Sequence, residues 1–142
     1  MCQRVYIASR TLLPPLRRSV AVPHLAISGL SQEAVAVRRW FSKDAKHFGE
    51  AYGPSRCGCG FPEMSAYSEH RGVPKDGEES VQALATYLDS RPGGKYIAEL
   101  LLCWIGDEGQ KPSHERDVTL SVLRTPGFRF RRGEILRVHA GE

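Results

Sequence analysis

At 142 residues, 41% hydrophobic and 25% charged, the chain is long enough to bury one core without staples and too apolar to be disordered. Its net charge of +4 is uneven, with +6 carried by residues 1–62 and −2 by residues 63–142. The longest apolar run, Leu100–Ile105, is far short of the roughly 18 residues a membrane span needs. Four cysteines, Cys2, Cys57, Cys59 and Cys103, are too sparse for a stapled secreted fold, so a reduced, cytoplasmic protein without a membrane partner is expected.

The first acid is Glu33, so the chain starts with the basic composition of an organellar transit segment. The patterning argues for structure instead. Val5 and Ile7 alternate with Arg4 and Tyr6 in "QRVYIAS", which predicts a strand over residues 3–9. "TLLPPLRRSVAVP" follows as a basic, Pro-rich loop, since Pro14 and Pro15 cannot both sit in a ladder. "HLAIS" (24–28) predicts a short second strand. Ser31 then stands as the N-cap of a helix to about Phe41, with Leu30, Ala34, Val37 and Phe41 on one face and Leu30 and Val35 placed as a hydrophobic staple.

"HFGEAYG" (47–53) predicts a third strand, and residues 62–75 a polar loop. Asp76 opens the best-signalled helix: Glu79 completes a capping box, Val81, Leu84, Ala85 and Leu88 follow at helical spacing, and Pro92-Gly93-Gly94 ends it. "KYIAELLLCWIG" (95–106) hardly alternates, which marks a central strand covered on both faces. A loop to about Asp117, a short helical piece around Val118–Leu123 and a closing hairpin or bent strand in "FRFRRGEILRVH" complete the chain. The expected fold is α+β: one domain over residues 1–142, with a single sheet of about four to five strands and two main helices packed on one face.

Chemistry concentrates in "PSRCGCGF" (54–61). Cys57 and Cys59 are soft thiolate donors that suit zinc, and Gly58 lets both sulfurs turn toward one ion. Zinc ligands are usually spaced by two or more residues, and the rest of a set would have to come from Cys2, Cys103, His47 or His70. Arg56 with the backbone at Gly58 and Gly60 forms a candidate anion nest. The same arginine could activate Cys57 or Cys59 as a nucleophile or redox thiol. The competing structural reading is a tight turn, with two small buried cysteines and Phe61 as its anchor. The leading function is therefore a binding module for a metal ion or small anion at the Cys57–Cys59 loop, with a thiol-dependent enzyme as the alternative.

Three weaker signals remain. The Met1-Cys2 start is similar to that of class II amidotransferases, in which a cysteine freed by Met removal is the nucleophile; their following glycine is Gln3 here. "GDEGQKPSHERD" (106–117) offers Asp107, Glu108, His114 and Glu115 for metal or proton chemistry, or as a solvated loop. Arg4, Arg10, Arg17, Arg18, Arg129, Arg131 and Arg137 could build a positive face for nucleic acid. Phe128 and Phe130 are expected to point inward, away from that face, and "FRFRRGEI" does not match the RNA-recognition signature. A charged edge strand is the plainer explanation.

Overall fold

Alternating residues of the central strands are apolar on both sides, and the architecture follows from covering both. In the computed structural model, which describes residues 3–53, 61–62, 75–90 and 97–140, the chain runs β1 (Gln3–Ser9), β2 (Ala26–Gly29), α1 (Gln32–Trp40), β3 (His47–Tyr52), α2 (Lys75–Asp89), β4 (Ala98–Trp104), β5 (His114–Thr119), α3 (Leu120–Leu123) and β6 (Glu134–His139). The strands form one mixed six-stranded sheet in the order β2-β3-β1-β4-β6-β5. All neighbours are antiparallel except β5 and β6. No helix among the described residues is long and apolar enough to cross a membrane.

The α+β class with one sheet stands, but two expectations are corrected. The sheet has six strands, not four to five. The added one, β5, lies in "HERDVT", where only Val118 is fully buried. As a sheet edge it presents Glu115 and Asp117 to solvent, so its composition looks like loop. The two longer helices also lie on opposite faces, not on one. Val5, Ile7, Leu100, Leu102, Leu136 and Val138 point to the side where Val81, Leu84, Ala85 and Leu88 of α2 pack. Tyr6, Ala8, Leu101, Cys103 and Ile135 point to the other side, under Ala34, Val37 and Phe41 of α1. A strand apolar on both faces requires cover on both.

The α2 face is a plain hydrophobic layer. Each Leu or Val buried there contributes about 1.5–3 kcal/mol relative to exposure. Phe61 anchors its end as the sequence suggests, 2% exposed and edge-on to Phe130 at 5.8 Å between ring centroids. Gly49 marks a close approach in β3: a Cβ there would meet the Ser28 carbonyl oxygen at 2.8 Å.

The α1 face is held differently. The segment winds as a nine-residue 3-10 helix, long for that form. Ser31 stands at its N-cap but makes no side-chain cap bond. Instead its N–H and hydroxyl both donate to Glu50 Oε1, at 3.0 and 3.1 Å. At the far end, Ser42 N–H donates to Glu99 Oε1 at 2.9 Å, and the Trp40 indole donates to the Glu108 carbonyl at 2.8 Å. Buried glutamates of the sheet thus hold the residues that flank α1 at both ends. A 3-10 helix rises about 2.0 Å per residue against 1.5 Å for an α-helix, which suits a segment pinned at both ends. The expected staple does not form, since Val35 is 45% exposed.

Candidate functional site

The residues singled out from sequence at the Cys57–Cys59 loop, Arg56, Cys57, Gly58, Cys59 and Gly60, lie outside the described residues, as does Cys2. Among the described residues no group of three or more His, Cys, Asp or Glu side chains is placed to hold a metal ion. The 106–117 stretch is structural in large part. Gly106 turns with φ 107°, bringing Glu108 back over the sheet. There its carboxylate accepts from the Gly106 N–H at 3.0 Å and from the Tyr6 hydroxyl at 2.7 Å. His114 and Glu115 fall in β5. Cys103 is buried, and burial, reinforced by Glu108 and Asp107, pushes its thiol up to about 12. It is protonated near neutral pH and is not an activated thiol.

The most distinctive open site is a groove of about 600 Å³ between the 10–25 strap and the α1 face of β2, β3 and β1. The strap is built by its prolines. Pro14 and Pro15 give up backbone donors, and Leu16 then makes a two-way bridge with Ile27, at 2.9 and 2.8 Å. Leu16 turns toward the α2 core while its neighbours Pro15 and Arg17 flank the other side. Tyr87 and Ser80 of α2 donate to the carbonyls of Pro14 and His24, at 2.7 and 2.8 Å, and His24 pairs with Glu79. The wall that carries Arg17 and Arg18 is therefore fixed from behind.

Arg4, Arg17 and Arg18 line the groove together with Ser28 and Tyr52, and among the described residues no carboxylate does. The floor is a closed network. Glu50, 0% exposed, accepts from Arg4 Nη1 at 2.8 Å and from the Tyr52 hydroxyl. Ser28 donates to Tyr52 at 3.2 Å, and the Arg4 guanidinium lies 5.2 Å from the centre of the Tyr52 ring. Burial acts to lower the Arg4 pKa, but the Glu50 charge, with Tyr52 and Tyr6, offsets it and the net shift is upward. Tyr52 is raised by burial and by its bond to Glu50. Arg4 is thus largely neutralised from below. Its Nε, itself buried, has no hydrogen-bond partner among the described residues. On the strap, Arg17 is exposed and makes no ion pair among the described residues.

The sequence named Arg4, Arg17 and Arg18 in a wider positive face, and these three converge. Arg137 does not join them, being held by Glu99 at 3.6 Å and by Glu115. Arg10 lies 4.0 Å from Asp44. Sequence reading missed Tyr52, Ser28 and Glu50. The one available signal was Glu50, an acid inside a strand, which needs a partner when buried. No family model matches the chain, and neither a curated protein nor a solved structure does.

Proposed function

We propose that the protein is a non-enzymatic binding module for a small anionic group, a phosphate or carboxylate, taken by the arginine groove between the strap and β2–β3. The observation that carries this is the lining: three guanidiniums, a serine and a tyrosine hydroxyl, with no carboxylate among the described residues. Pro15 and Ala26 supply an apolar wall for the ligand's body. Guanidinium forks match phosphate and carboxylate geometry, so arginine rather than lysine suits such a site. A reduced, cytoplasmic setting fits Cys103, which is a free buried thiol.

Calorimetry with pyrophosphate and citrate is the direct test. Wild-type protein is expected to bind one or both, and Arg17→Ala/Arg18→Ala to lose at least tenfold in affinity with an unchanged melting temperature. Absence of binding to either anion, or binding untouched by the double substitution, sinks the reading. The Cys57–Cys59 loop is a separate place for zinc. Metal analysis of wild type against Cys57→Ser/Cys59→Ser decides it, with substoichiometric metal in wild type removing it.

A further inference from the structure

The strap that walls the arginine groove carries an exposed apolar tip. Val20 is the most exposed large apolar side chain among the described residues, at 101% against 69% for Leu12, the next. Ala21 beside it is exposed as well. This tip is built, not loose. Ser19 N–H donates to the Val22 carbonyl at 3.1 Å, and the Ser19 hydroxyl accepts from the Val22 N–H at 3.1 Å. Val22 packs against the α2-side core, so Val20 and Ala21 stand out on a closed loop. A single exposed valine is ordinary on a surface; its setting here is not. Val20 lies two residues beyond Arg18, which lines the groove with Arg17. Residues 10–25 contain three arginines, Arg10, Arg17 and Arg18, and no acid. Asp44 and Glu79, which reach the strap from other elements, pair with Arg10 and His24.

We infer that the groove's ligand is the headgroup of an anionic phospholipid in a membrane surface, with Arg17 and Arg18 on its phosphate and Val20–Ala21 entering the acyl boundary. This rests on the anion-binding reading of the groove and names the source of the anion. The dimensions agree. Two residues of chain reach about 7 Å at most. The headgroup layer of one leaflet is about 5–7 Å deep, half the difference between the full bilayer and its hydrocarbon core. A tip seated at the acyl boundary therefore leaves the two guanidiniums at the level of the lipid phosphates. A soluble phosphate would use the arginines and leave the tip without a role, and so would a nucleic acid. Apolar insertion alone or a few basic residues alone hold a membrane weakly, whereas the two together add. The strap, tied to α2 by Tyr87 and Ser80, presents both already ordered, which spares the ordering cost of docking. The contact is peripheral and needs no spanning helix.

The test is co-sedimentation with phosphatidylcholine vesicles containing about 30% phosphatidylserine, set against pure phosphatidylcholine vesicles, with pyrophosphate binding measured alongside. Wild type is expected to bind the anionic vesicles at least tenfold tighter than the neutral ones, and less tightly as salt rises. Val20→Ser/Ala21→Ser should weaken vesicle binding at least threefold, with pyrophosphate affinity and melting temperature unchanged. Arg17→Ala/Arg18→Ala should weaken the binding of both vesicles and pyrophosphate at least tenfold. Val20→Trp should add an emission that shifts to the blue on anionic vesicles and not with pyrophosphate. If pyrophosphate binds but anionic vesicles gain nothing over neutral ones, the groove remains a site for a soluble anion and this inference falls. Vesicle binding indifferent to the tip substitution also overturns it, as does a short single-stranded oligonucleotide that binds more tightly per phosphate than the vesicles. If neither vesicles nor pyrophosphate bind, both readings fall together.

Discussion

The two faces of the sheet solve the same problem by different chemistry. Under α2, apolar side chains meet apolar side chains, and α2 offers Val81, Leu84, Ala85 and Leu88 at ordinary helical spacing. Under α1, the sheet carries Glu50, Glu99 and, over Tyr6, Glu108, each of them buried and each tying α1 or its flanks by a hydrogen bond. Hydrophobic contact is non-directional, so the α2 face supplies stability without fixing a geometry to atomic precision. Hydrogen bonds to buried carboxylates are directional and costly to leave unmade. The α1 face uses them, and it is this face that carries the arginine groove. Specific geometry and open surface occur together on the polar side.

The largest expected effect breaks the polar face. Glu50→Ala removes the acceptor of Arg4, Ser31 and Tyr52 at once, and should cost about 3–5 kcal/mol in urea unfolding, as expected when one partner of a buried pair is lost. A cost under about 1 kcal/mol would show that Glu50 is not the hub of that face. Next, Leu84→Ala on the opposite face should cost about 3 kcal/mol through lost burial and the cavity left behind. Anion affinity should not change, because the arginine groove is on the other side. A parallel loss of affinity would break the separation of the two faces.

Alkaline pH sharpens the contrast without mutation. Tyr6, Tyr52 and Cys103 all belong to the α1 face or its groove, and all are raised above their ordinary values of 10.0, 10.0 and 9.0 by burial first. The folded state therefore holds protons that the unfolded chain releases. Their contribution is fully present below about pH 9 and is lost as pH rises through the folded values. Chemical denaturation at pH 8, 9 and 10 should show stability falling, and Tyr52→Phe should flatten the fall. The smallest effect belongs to the edge: Glu115→Ala on β5, 59% exposed, should change stability by no more than about 0.5 kcal/mol.

The sequence showed the α2 face more clearly than the α1 face, for physical reasons. Apolar spacing at Val81 to Leu88 and the unbroken run from Leu100 report burial directly. β5 stayed hidden because an edge strand exposes its charges, and only Val118 reported its inward side. The winding of α1 was equally hidden. Ala34, Val37 and Phe41 suit an α-helix, and it is the distant Glu50 and Glu99 that hold both ends. Of the site, the three arginines were visible as charge, but their convergence depends on the Leu16–Ile27 bridge. Tyr52 and Ser28 enter only through strand register. The loop that drew most notice, Cys57–Cys59, lies outside the described residues.

The central place of β1 has a consequence for assembly on the ribosome. Its neighbour β4 is paired residue for residue from Gln3 with Trp104 to Ala8 with Glu99. A strand made first must therefore wait for one made nearly a hundred residues later. Until then β1 can pair only with β3, and its Val5–Tyr6–Ile7 edge stays open. Such long-range pairing slows folding and leaves the nascent chain exposed to wrong partners. Arg4 lies within that waiting strand and Arg10, Arg17 and Arg18 follow it, and the charge that later lines the groove would first serve to keep it apart from other chains.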